Sequence, residues 1–170
     1  MEKIKVKREL KSKVKMPTTI IVGDPLYFEE YPDRKDLVYN KEFRGKKDWV
    51  GIVTLSETET EYKNITIEGT SLKVVYAPNE EFAKVYLDDM KYKSQKIKNT
   101  QIGVDSARYS IQIDDKYHEI NTGGDGYWGD ISEFYRGDKL DGIMLDMELG
   151  DTSSFNDYKE IIEYLFNINF

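Results

Sequence analysis

Short runs of β-branched and aromatic residues, alternating with polar ones and broken by turn residues, recur through the first three-quarters of the chain. A period of two puts successive side chains on opposite faces, which commits such a chain to strands rather than a helical bundle. Thr18–Val22 (TTIIV) is β-branched and bounded by Pro17 and Gly23-Asp24-Pro25, the signature of a buried strand. Trp49–Leu55 (WVGIVTL) reads the same way. Tyr62–Glu68 and Leu72–Ala77 flank Gly69-Thr70-Ser71 and are predicted to form a hairpin, and Ala107–Ile113 and Lys116–Ile120 flank Asp114-Asp115 as a second. Gly142–Leu149 (GIMLDMEL) reads as a further strand, with helix as the other reading. The basic segment at 1–15 alternates Ile4 and Val6 with lysines, as an edge strand does when its charges discourage pairing with another chain.

Two segments carry a helical period instead. After Pro78, apolar residues fall at Phe82, Val85, Tyr86 and Met90, with Asn79 as cap and Glu80 and Glu81 in the first turn, which predicts a helix over about 79–92. Tyr158, Ile161, Ile162 and Leu165 repeat that spacing behind Ser154 and Asp157, a Ser-x-x-Asp start signal for a C-terminal helix over about 155–166. The expectation is an α+β fold, mostly antiparallel sheet with one inserted and one terminal helix. It forms a single domain over 1–170, with the basic strand or arm at 1–15.

Composition removes whole classes of function. With no cysteine and one histidine, thiolate nucleophiles, Cys-ligated zinc, disulfide scaffolds and sites needing two histidines are excluded. Thirteen tyrosines argue against disorder. No run approaches the roughly 18 apolar residues of a membrane span, and no apolar stretch follows the basic N-terminus as it would in a secretory signal. The expected location is the cytoplasm of a bacterial host cell. Charge is unevenly placed. Residues 1–100 carry 20 Lys+Arg against 17 Asp+Glu, whereas residues 101–170 carry 5 against 15. An acidic half of this kind repels phosphate and steers basic partners. It is also what a solvated, solubilising surface looks like.

Three aspartates stand at strand ends or loops where a carboxylate could hold a divalent metal or move a proton: Asp24, Asp105 and Asp125. Asp24 before Pro25 reads equally as a turn residue bonding to its own backbone. Ser106 lacks a G-x-S-x-G elbow, and His118 within KYHEI reads as a strand side chain. Asn121–Asp130 (NTGGDGYWGD) has four glycines in ten residues, so Tyr127 and Trp128 are expected to project from a bent loop. Aligned on an EF-hand, it fails at several ligand positions, and it matches neither a dinucleotide fingerprint nor a P-loop. No cofactor is expected.

Three pieces together, TTIIVGDPLY, GVDSARYSI and GGDGYWGD, resemble small uncharacterised proteins of phages and low-GC bacteria. Those proteins share Gly-Asp-Pro-x-Tyr, Val-Asp-small and Gly-Asp-Gly-Tyr segments, and the resemblance covers about a sixth of the chain. It implies a β-rich domain of bacterial or viral origin. The functional expectation is a non-enzymatic, anti-defence inhibitor of the anti-CRISPR kind. Its acidic, aromatic-rich C-terminal half would bind a basic protein, such as a nucleic-acid-binding defence protein, through Asp125, Tyr127, Trp128, Asp130, Asp146, Glu148, Asp151 and Asp157. The alternatives are a carboxylate-based divalent-metal hydrolase or ligand-binding protein using Asp24, Asp105 and Asp125, an immunity protein, or a virion accessory protein.

Overall fold

The computed structural model describes residues 3–29 (of 28–29 the backbone), 37–88 (of 85–88 the backbone), 96–104, 106–124, 127–150 and 154–170. Among the described residues, alternating segments form ten strands: β1 (Lys3–Lys15), β2 (Thr19–Gly23), β3 (Val38–Glu42), β4 (Val50–Tyr62), β5 (Ile65–Ala77), β6 (Lys96–Gly103), β7 (Arg108–Ile113), β8 (Lys116–Asn121), β9 (Trp128–Arg136) and β10 (Lys139–Gly150). The helices are α1 (Pro25–Glu29), α2 (Glu80–Asp88) and α3 (Phe155–Phe166). The strands make two antiparallel sheets, a six-stranded one in the order β1-β4-β5-β10-β9-β6 and a four-stranded one in the order β3-β2-β7-β8. The fold is α+β with a C-terminal helix, and the basic N-terminal strand lies at an edge of the large sheet, as its lysines predict.

The main core is shared by the facing sides of the two sheets. Val53, Leu55, Leu72, Val74, Ile143, Leu145 and Met147 come from the large sheet, and Ile20, Val22, Ile111 and Ile120 from the small one. The stripe Phe155, Tyr158, Ile162 and Leu165 joins them from α3. The Tyr158 hydroxyl lies 2.7 Å from the carbonyl oxygen of Leu149 in β10 and 3.0 Å from that of Asn121 in β8, so α3 bridges both sheets. A second, smaller cluster lies on the other face of the large sheet. There Ala83 of α2 packs with Ile52, Val75, Ala77, Phe134 and Met144.

Several expectations need correction. The turn of the long hairpin is Lys63-Asn64, both at positive φ (48° and 67°), and Gly69-Thr70-Ser71 lies inside β5. Two central residues at positive φ suit the twist of tight hairpins, and Asn tolerates that region; the Gly-Thr-Ser triplet imitates a turn only in composition. Trp128 opens β9 rather than projecting from a loop. Gly142–Leu149 is a strand. Asn79 caps α2, its Oδ1 accepting the Phe82 N–H at 3.0 Å. Ser154 precedes α3 but makes no side-chain cap bond. The end of the predicted 79–92 helix lies outside the described residues.

Candidate functional site

On β10, Ile143, Leu145, Met147 and Leu149 point into the sandwich, so Met144, Asp146 and Glu148 point outward. Met144 is covered by the α2 cluster. Beyond it the outer face is polar, half-buried at Asp130, Asp146 and Lys73 and exposed at Glu148, and the strand register arranges it in rows. One row runs Gln101, Asp130, Asp146, Lys73, Thr54, Lys11 across six strands. In the next, Trp128 stands beside Glu148, Ser71, Ser56 and Glu9, and the Trp128 N–H donates to Glu148 Oε2 at 3.4 Å. The indole is 54% exposed and rests over Gly103, where an added Cβ would come within 3.2 Å of the ring. The sheet thus brings Trp128, Asp130, Asp146 and Glu148 together into one acidic, aromatic strip.

Asp130 and Asp146 are directly opposite each other on neighbouring strands. Like charges in that position oppose sheet formation. Burial pushes the Asp146 carboxyl above its ordinary value, the Asp130 charge adds to the rise, and Lys73 on the other side holds it back. The strip's field also reaches inward. The ring of Tyr109, in the small sheet, approaches the backbone at Gly129. Its buried hydroxyl is held protonated first by burial and then by Glu148, Asp130 and Asp146.

Because the folded Asp146 carboxyl titrates above the 3.8 of an ordinary aspartate, the unfolded chain releases that proton first. Rising pH through this interval therefore erodes stability, and the full penalty is present above the folded value. The substitution Asp146→Asn is expected to raise the Tm at pH 7, with the gain vanishing near pH 3. Thermal melts across that range check it, and an unchanged or lower Tm at pH 7 would remove the strain argument.

The other candidates lie elsewhere. Tyr127 is half-buried against the core, and its carbonyl accepts the Val104 N–H at 3.0 Å. Asp157 is on α3, beside His118 and Thr122 rather than in the strip. Asp105, Asp125 and Asp151 lie outside the described residues. Asp24 is fully buried. Its Oδ1 accepts the Leu26 N–H at 2.9 Å and the Ser106 hydroxyl at 2.6 Å, and its Oδ2 accepts the Ser106 N–H at 2.7 Å. It holds the β2–α1 turn to the segment before β7, which is the turn reading extended by a tertiary link. The His118 Nδ1 lies 2.6 Å from the carbonyl oxygen of Glu119. Among the described residues, no group of three or more Asp, Glu or His is placed to hold a metal ion, and no helix is long and apolar enough to cross a membrane.

Sequence reasoning missed Lys73 and Gln101, which complete the row beside the two aspartates. Alternation outward from Leu72 and Val74 was the available signal for Lys73. No family model matches the chain, and neither the curated proteins nor the solved structures give a match.

Proposed function

We propose that the protein is a non-enzymatic binding protein of phage or mobile-element origin. It presents the outer strip of the large sheet to a basic surface on a nucleic-acid-binding defence protein and so inhibits it. The observation that carries the reading is the opposed Asp130–Asp146 pair beside an exposed indole. A fold has no stability reason to keep two carboxylates face to face, or a tryptophan in water, and a basic partner relieves both. The indole supplies a rigid apolar anchor, and the carboxylates around it supply charge complementarity and a faster encounter. A surface that occupies a groove built for phosphate need only repeat its charge, so the strip suits a nuclease or other phosphate-binding target. An immunity protein against a basic toxin works by the same physics, and the identity of the captured partner separates the two.

The test is capture from a low-GC bacterial lysate by the immobilised protein, with salt elution and identification of what is released. Trp128→Ala, and separately Asp130→Lys with Glu148→Lys, are expected to weaken capture of a basic protein by about tenfold or more. Trp128 and Glu148 are exposed and Asp130 half-buried on the outer face, so circular dichroism should report an unchanged fold. Capture that is indifferent to charge reversal and to salt would sink the proposal.

A further inference from the structure

The large sheet changes character along its length. In the body of the molecule its inner side is apolar and its outer side polar. Past Thr58 and Gly69 the assignment inverts. The outer side carries Ile4, Val6, Tyr62, Ile65 and Ile67, because Ile4 pairs with Thr60, Val6 with Thr58, Thr60 with Ile67 and Tyr62 with Ile65. The inner side carries Lys5, Arg8, Glu57, Glu59, Glu61 and Glu68, largely neutralised within itself. Lys7 lies 2.9 Å from Glu68 and 3.7 Å from Glu59, and Arg8 lies 2.9 Å from Glu57. The small sheet does not extend over this part, so the ends of β1, β4 and β5 form a three-stranded arm. Its five large apolar side chains are between 46% and 68% exposed. Threonines and Gly69 fill the rest of that face, and among the described residues the charge on it is Lys63 at the tip, whose ammonium lies 5.2 Å from the centroid of the Tyr62 ring.

We propose that this face binds the same face of a second copy of the chain, arm against arm, about a twofold axis. The area fits. At about 150–200 Å² for a large apolar side chain, five such groups expose on the order of 500 Å² per copy. Two copies then bury about 1,000 Å² before the threonines are counted, the threshold for a specific interface. The chemistry fits as well, since the one charge described on the face, Lys63, stands at the tip, and a twofold overlap keeps the two tips apart. A cationic partner would meet that lysine and no described carboxylate on the face. Pairing through the bare edge of β1 is the alternative self-association, and the lysines at positions 3, 5, 7, 11 and 13 oppose it. A twofold overlap of the arms lays the tip of each, with Lys63, toward the root of the other. Glu148 stands there, next to Ser71 in the outer row, so the overlap brings opposite charges together at each end.

The dimer meets the partner-binding strip at Glu148, but it needs no basic partner and is tested on the protein alone by sedimentation equilibrium from about 1 µM to about 100 µM. Wild type is expected to sediment as a reversible dimer. Ile65→Glu with Ile67→Glu is expected to be monomeric throughout, Lys63→Glu to dissociate about tenfold more readily, and Lys5→Glu, on the charged face, to remain dimeric. If the double variant misfolds, the absence of cysteine from the chain supplies a second measurement. A Thr60→Cys variant, placed mid-face, is expected to form an intermolecular disulfide on mild oxidation, and a Glu59→Cys variant is not. A monomeric wild type overturns the proposal, whether or not it floats with phosphatidylcholine vesicles. So does a dimer that persists in the folded Ile65→Glu, Ile67→Glu variant.

Discussion

Replacing Gly150 with alanine is expected to destabilise the protein by about 4 kcal/mol, lowering the Tm by roughly 10–15 °C. Gly150 ends β10 with φ at 103°, a conformation that L side chains rarely adopt. A Cβ there would run into the backbone carbonyl of Thr122, just past the end of β8. Backbone has nowhere to go at this point. Leu149 and Asn121 present their carbonyls to the Tyr158 hydroxyl in the same junction, so a shift that relieves Gly150 pulls the two sheets and α3 apart together. Strain of about 1–3 kcal/mol for the dihedral adds to a similar cost for the overlap. Against a total of about 5–15 kcal/mol, that is a large share. Gly69→Ala is the control. Its nearest neighbour to an added Cβ is 4.0 Å away and its φ is not positive, so its stability should stay within about 1 kcal/mol of wild type. Urea unfolding measures both, and equal small losses would show that the junction yields.

Asp24→Ala is expected to cost about 3 kcal/mol. The carboxylate, itself fully buried, accepts three bonds among the described residues, from Leu26 N–H, Ser106 N–H and Ser106 Oγ–H. Removal leaves two amides and a hydroxyl without this acceptor in a part-buried site, and each orphaned donor costs about 1–3 kcal/mol, less whatever water or rotation of the Ser106 hydroxyl recovers. Asp24→Asn keeps one acceptor oxygen, so its loss should be roughly half that of alanine. Hydrogen exchange at the Leu26 and Ser106 amides gives the local readout, with both protected in wild type and both opened in the alanine variant. Alanine within about 1 kcal/mol of wild type, or unchanged exchange, would mean that this carboxylate is not the tie between the two segments.

The regular strands were legible wherever alternation was uninterrupted. Thr18–Val22 and the hairpin about Asp114-Asp115 come out within a residue or two, and the C-terminal helix comes out at Phe155–Phe166, because each buries one clean stripe. β3, β6 and β9 were not legible. β6 is an edge strand whose sequence, KIKNTQIG, holds too few apolar residues to announce a face. The opening Trp128-Gly129-Asp130 of β9 inherits the look of the glycine run before it. Gly129 is in fact strand, and a Cβ there would come within 3.3 Å of the Met147 side chain and 3.6 Å of the Tyr109 ring. Half of the candidate partner-binding residues converge because register places them on one face. Register is a property of the pairing between strands far apart in sequence, and single-strand alternation does not contain it. The same limit hid the arm. Ile4, Val6, Ile65 and Ile67 look like core positions by period alone, and only the end of the small sheet leaves them uncovered.

The strand order has a consequence in time. β10, synthesised well after β1, β4 and β5, lies in the middle of the large sheet, between β5 and β9. Until residue 150 has been made, β1, β4 and β5 can pair with one another but end in a bare edge along Leu72, Val74 and Tyr76. At about 5–20 residues per second, roughly 4–15 s separate the completion of β5 from that of β10. For that interval the β4–β5 hairpin has an open hydrogen-bonding edge and no lid over its apolar inner face. How much protein survives synthesis is then set by how fast translation and capture of that edge proceed, before the stability of the finished sandwich has any say.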